Sequence, residues 1–162
     1  MKKLLLSSIA LSSITLNASA ETTNQEFSAI NKIASLCQSF KATGLQVAVI
    51  KGEGDDAQKI DGYAKSAGLT SSIISLADAS STTANLVIVA SDVKAADHAQ
   101  VATAFNGKKV ITVSTNLACV ESSKCMLGVD VGSVVKLLVN SQNYQASGLK
   151  FDPAFEFMVK QI

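Results

Sequence analysis

Three short apolar runs, spaced by stretches of helical character, constrain this chain more than any other feature. Residues 45–50 (Leu-Gln-Val-Ala-Val-Ile), 85–90 (Asn-Leu-Val-Ile-Val-Ala) and 109–114 (Lys-Val-Ile-Thr-Val-Ser) are rich in β-branched side chains and show little polar alternation. A strand reads this way when helices cover both of its faces, as in a parallel sheet. Between the runs, residues 55–67 and 95–105 predict helices, closed by Gly68 and by Asn106-Gly107. Asp55 stands where it can cap the first of them. Residues 72–76 predict a weaker strand and 78–83 a small-polar loop. Strands and helices in alternation, joined by right-handed crossovers, make an α/β domain.

The two ends depart from this rhythm. Phe27, Ile30, Ile33, Ala34, Cys37 and Phe40 recur at helical spacing, so residues 24–40 predict an amphipathic helix with Cys37 on its apolar face. Residues 126–131 and 134–139 are β-type runs separated only by Gly132-Ser133, which predicts a hairpin at one sheet edge. Residues 143–147 and 153–159 predict short helices, the second capped by Asp152 with Pro153 at its first position. The expected architecture is a three-layer α/β/α domain with a mostly parallel sheet: four parallel strands plus a C-terminal antiparallel hairpin.

Residues 1–20 predict a cleavable signal peptide. Lys2 and Lys3 precede an apolar core from Leu4 to Leu16, and Ala18-Ser19-Ala20 is an A-x-A cleavage site. The apolar run is shorter than the ~20 residues a membrane span needs. No cysteine follows the cleavage site, so a lipid anchor is not expected. Residues 21–162 then form a single exported domain, expected in the periplasm, and a domain of this size buries about 70% of its unfolded surface. All fourteen basic residues are lysines. Removing Lys2 and Lys3 leaves twelve against thirteen carboxylates, a near-neutral balance. With no basic stripe and no interleaved aromatics, nucleic acid is not an expected partner.

Three cysteines would share an oxidising compartment. Three single-bridge pairings exist, and proximity favours Cys119–Cys125, which enclose the polar stretch Val120-Glu121-Ser122-Ser123-Lys124. The bridge reads as a loop staple, with a redox-responsive switch as the alternative. Cys37 is then a buried free thiol. Zinc would need four ligands, and His98, the only histidine, falls on a predicted helix with a surface position expected.

No catalytic constellation emerges. Gly52-Glu53-Gly54 sits where a dinucleotide loop would, between a strand and a helix, but Glu53, Asp55 and Asp56 crowd it with negative charge, so a plain turn is the expectation. There is no G-x-S-x-G, no placed base for a nucleophile, and no arginine for bidentate capture of an anion. No catalytic residue, metal or cofactor is therefore assigned. What remains is position. Open α/β sheets bind ligands beyond the carboxyl ends of their strands, which here carry Lys51 and Glu53, Ser91 and Asp92, and Ser114, Thr115 and Asn116. Ser91, Asp92, Thr115 and Asn116 are the candidate contacts for a small polar ligand, and capping of the following helices is their competing role.

The tail adds a resemblance. Cys119, then Cys125-Met-Leu-Gly-Val-Asp-Val-Gly-Ser-Val-Val-Lys-Leu-Leu-Val-Asn140, followed by Ala146-Ser-Gly148-Leu149 and residues 151–159, resembles the ending of the periplasmic YfiR family. That family commonly has a Trp-Pro end to its first helix and arginines in its centre, both missing here. The resemblance implies a Cys119–Cys125 loop disulfide and a structural strand-end role for Asn140. It also implies a non-enzymatic periplasmic regulator that represses an inner-membrane signalling protein, often a diguanylate cyclase. The same tail is similar to single lobes of periplasmic solute-binding proteins, which gives the alternative: a solute-binding protein serving an ABC-type transporter. A homodimer is left open.

Overall fold

The computed structural model describes residues 20–162. The expected leader thus lies outside the described residues, apart from Ala20 at its end. The elements follow in the order α1 (Asn24–Ser35), β1 (Gln46–Ile50), α2 (Asp56–Ser66), β2 (Thr70–Ile74), β3 (Leu86–Val89), α3 (His98–Phe105), β4 (Ile111–Ser114), α4 (Leu117–Glu121), β5 (Leu127–Val131), β6 (Val135–Val139), α5 (Ser141–Ser147), α6 (Ala154–Met158) and β7 (Lys160–Gln161). All seven strands form one sheet in the order β2-β1-β3-β4-β5-β6-β7. Strands β1 to β5 run parallel, β6 is antiparallel to β5, and β7 lies parallel to β6. The α/β architecture expected from the sequence is the one observed. The first strand of the hairpin also belongs to the parallel set, and β7 adds a two-residue edge beyond it.

The unalternating runs are buried because both faces of the sheet are covered. All four residues of β3 and Val47 to Ile50 of β1 are buried. The chain leaves β1 for β2 on one side, then crosses back over β1 to β3 on the other. With right-handed crossovers, α2 lies on one face and the connection from β2 to β3 lies on the opposite face. The packing agrees: α1 sits against α2, and α3 against the 3₁₀ segment Leu76–Ser81 that makes the return crossing. The gap between the carboxyl ends of β1 and β3 is thus the topological switch point, where such sheets bind ligands.

Local departures from the sequence expectation have identifiable causes. The first helix ends at Ser35 instead of residue 40. Beyond it, the Leu36 carbonyl accepts from Asp152 N and Gln38 N donates to the Lys150 carbonyl, so the C-terminal segment takes groups that a longer helix would use. Cys37 pairs with Phe151 there as an isolated bridge, buried and without a disulfide. Asp55 makes no side-chain capping bond to α2. Residues 78–83, read as loop, fall largely in the Leu76–Ser81 3₁₀ turn. The stretch between the two paired cysteines, read as polar, begins within α4, which Asn116 caps through Ala118 N and which buries Cys119 and Val120. His98, expected at the surface, is the first residue of α3 and is 1% exposed.

Candidate ligand site at the carboxyl edge of the sheet

A buried carboxylate organises the carboxyl edge. Asp56 is the first residue of α2 and is 1% exposed. Its Oδ1 accepts from Thr22 N at 2.6 Å, and its Oδ2 accepts from Thr22 Oγ1 at 2.9 Å and from Ser91 N at 2.8 Å. An ionised carboxylate only accepts, so the Thr22 hydroxyl must give its single proton to Asp56. The 2.9 Å contact between Thr22 Oγ1 and Thr115 Oγ1 is then a bond donated by Thr115. Thr22 thereby joins the start of α2 to the loop after β4, and Asp56 itself holds the loop after β3 through Ser91 N. Charge-assisted bonds of this kind are about twice as strong as neutral ones, and the position at a helix N-terminus favours the negative charge.

Beside this network lies a recess of about 180 Å³ at the switch point itself, lined by Lys51, Gly52, Glu53, Leu76, Asp92, Val93, Lys94 and Asp97. Its wall explains the Gly-Glu-Gly sequence. Gly54 N donates to Asp92 Oδ2 at 2.7 Å. A Cβ on Gly52 would fall 2.4 Å from the Asp92 carbonyl carbon, its oxygen and Oδ1, and one on Gly54 would fall 2.6 Å from Oδ2. The two glycines therefore let the loop close upon an aspartate of the same chain. In a dinucleotide-binding loop the approaching anion is a pyrophosphate; here the carboxylate of Asp92 receives the loop amide. The other oxygen, Asp92 Oδ1, is buried and has no hydrogen-bond partner among the described residues. Lys94 Nζ meets Glu53 Oε1 at 2.5 Å, joining the loops after β1 and β3 with an exposed ion pair. Ammonium and carboxylate groups thus face one small volume together.

His98 is also buried, and its Nε2 lacks a partner among the described residues. Burial holds its imidazole below the usual histidine range, opposed by a backbone hydrogen bond at Val93 and by the Asp97 charge. The ring is neutral at pH 7.

Three of the four candidate residues fall into two adjoining features, and the fourth caps a helix. Asp92 lines the recess, while Ser91 and Thr115 belong to the Asp56 network. Asn116 Oδ1 accepts from Ala118 N at 3.2 Å, so this residue caps α4. Lys51 and Glu53, at the end of β1, also border the recess. Thr22, Asp56, Lys94 and Asp97 complete the edge and were not singled out from the sequence as a site. Asp56 stood next to a more conventional capping candidate, and Thr22 in a polar lead-in with no periodicity. Among the described residues, no three His, Cys, Asp or Glu side chains gather where they could hold a metal ion.

Cys119 and Cys125 form a disulfide with Cα atoms 5.2 Å apart, the pairing that proximity favoured. It lies away from the recess, between α4 and β5. Asn140 Nδ2 donates to Ser123 Oγ at 2.9 Å, and Asn143 Nδ2 donates to the carbonyls of Ser123 and Cys125, both at 3.1 Å. Asn140 also caps α5 through Asn143 N at 3.1 Å.

No family model matches the chain, and no curated protein matches it. Solved structures do share its fold. It is similar to the ABC domain in complex with L-Trp from Streptococcus pneumoniae, with 15% identity and a TM-score of 0.60 over 85% of this chain and 60% of that one. It is also similar to a conserved domain protein from Vibrio cholerae O1 biovar El Tor, with 11% identity and a TM-score of 0.61 over 82% of this chain and 59% of that one. The chain therefore spans about three fifths of the length of these two neighbours, and what it shares with them is an α/β fold.

Proposed function

We propose that residues 21–162 are an exported, non-enzymatic binding domain that takes a small zwitterionic ligand at the switch point and relays its presence to an inner-membrane signalling protein. The observation that carries the ligand reading is the recess lined by Asp92, whose buried Oδ1 has no hydrogen-bond partner among the described residues. A buried acceptor without a donor costs roughly 1–3 kcal/mol, and a ligand ammonium supplies the missing donor. Lys51 then stands ready for a carboxylate at the other end of the ligand, beside the Lys94–Glu53 pair. The volume of about 180 Å³ limits the occupant to the size of an amino acid. The fold shared with a domain known in complex with L-Trp supports a binding role of this class. The regulatory half of the proposal rests on the tail, whose disulfide-closed loop, hairpin and strand-end asparagine resemble those of the YfiR family. A diguanylate cyclase is the partner this resemblance suggests.

The second reading is a solute-binding protein for an ABC-type transporter, with which the fold of the same structural neighbour is compatible. Deleting the gene in its native host separates the two. Regulation of a cyclase predicts a rise in cyclic di-GMP and in surface attachment, reversed by the wild-type gene and not by Asp92→Asn. Unchanged signalling together with lost uptake of one amino acid would transfer the protein to the transport reading.

A further inference from the structure

The opposite, amino-terminal edge of the sheet carries a larger cavity, of about 370 Å³, between α3, the disulfide loop and α5. This is within the usual range for small-molecule sites. Its charge is one-sided. Lys108 and Lys124 line it, and no aspartate or glutamate does. Apolar surface from Phe105, Val110, Met126 and Ala102 supplies the rest of the contact, beside the polar groups of Thr112 and Asn143. The two ammonium groups are held in different ways. Lys108 Nζ donates to the Ser80 carbonyl at 2.7 Å and lies 5.6 Å from the centre of the Phe105 ring, which leaves protons for a further acceptor. Lys124 has no ion-pair partner among the described residues, although half-buried.

The placement of Lys124 is built in by its surroundings. It lies inside the loop closed by Cys119–Cys125, and its backbone N donates to the Cys119 carbonyl at 2.8 Å. The residue before it, Ser123, is the single described non-glycine with positive φ, at 60°. A side chain other than glycine, asparagine or aspartate rarely adopts that conformation, and it persists only where neighbours impose it. Here Asn140 and Asn143 do so, with three hydrogen bonds to the loop.

We propose that this cavity binds a small organic anion with an apolar body, an aryl or short-chain carboxylate. Lys124 and Lys108 meet the charged end, and Met126, Val110 and Phe105 cover the body. The disulfide acts as a positioning device, since it fixes the loop that delivers Lys124. This site goes beyond the carboxyl-edge reading and does not depend on it.

The test compares 4-phenylbutyrate with the isosteric neutral 4-phenylbutyramide in amide-shift titrations of ¹⁵N-labelled residues 21–162. The expected result is saturable shifts confined to residues 99–112, 124–126 and 143–147, with the acid binding at least about tenfold more tightly than the amide. Lys124→Gln, at a half-buried position on the cavity wall, should keep the dispersed spectrum and reduce that preference to about threefold or less. The disulfide-free pair Cys119→Ser with Cys125→Ser should reduce it too, if that variant remains folded; the glutamine variant decides the question where it does not. Equal affinity for acid and amide, shifts centred elsewhere, an unchanged preference in Lys124→Gln, or no saturation by either compound at 10-fold molar excess over a millimolar Kd would each overturn the proposal.

Discussion

Asp56 and Asp55 are neighbours with the same chemistry and opposite roles, and mutation should separate them. Asp56 is buried with three donors directed at it, whereas Asp55 is exposed and makes no side-chain cap bond. Asp56→Ala leaves Thr22 N, Thr22 Oγ1 and Ser91 N without their acceptor, at an expected cost of about 3 kcal/mol in urea unfolding. Asp55→Ala should cost no more than about 1 kcal/mol, the scale of a surface charge near a helix N-terminus. His98 carries a second residue-scale prediction. Its folded pKa is depressed by burial, so its contribution is complete above the unfolded value of about 6.5 and is lost as pH falls through the lower folded value. The urea midpoint should therefore drop between pH 7 and 5, and His98→Gln should flatten that drop. Asp61, held low by Lys65 and Ser71, contributes separately in the acid range below about 4. Neither Asp56 nor His98 was legible as buried. Their burial is decided by partners in other parts of the fold, such as Thr22, 34 residues from Asp56, and no local pattern encodes that.

At the scale of elements, the reading succeeded where burial is symmetric. β1, β3 and β4 are covered on both faces, so their residues show little polar alternation, and the hairpin of β5 and β6 was visible from Gly132-Ser133 between two β-type runs. It failed where an element exists through tertiary partners alone. β7 has two residues paired with Leu138 and Val139, and α4 has five residues defined by the Asn116 cap and the burial of Cys119 and Val120. The turn after β1 was placed correctly, but its reason was not: Gly52 is required by the approach of Asp92, 40 residues later. Gly52→Ala should thus destabilise by about 2–3 kcal/mol, because the contact is with backbone that cannot rotate away. Gly62→Ala is the control. A Cβ there meets nothing within 4 Å, and the residue lies inside α2, so this variant should gain about 0.5–1 kcal/mol. Thermal or urea unfolding of the pair checks both signs.

Across the whole molecule, the N-terminal segment acts as a clasp between elements distant in sequence. Thr22 joins Asp56 of α2 to Thr115 after β4, and Glu21 pairs with Lys59. Thr23 caps α1, with Glu26 returning to Thr23 N at 2.7 Å, and Glu26 Oε1 also accepts from Val131 N at 3.4 Å. All of these contacts begin immediately after the proposed cleavage point at Ala20. Removal of the leader there leaves Thr22 N as a peptide amide able to donate to Asp56, whereas cleavage two or three residues later would take the clasp away. N-terminal sequencing of the protein purified from its native host should therefore return Glu21. A chain beginning at Thr23, which keeps the cap of α1, should lose about 2 kcal/mol, since the truncation removes from the other side two of the three bonds that Asp56→Ala removes. Combining it with Asp56→Ala should cost little more than the substitution alone, a coupling that urea unfolding of the four proteins measures directly. Additive losses would mean that Thr22 and Asp56 stabilise the fold independently, and the clasp would then have to be abandoned as the reason for where the mature chain starts.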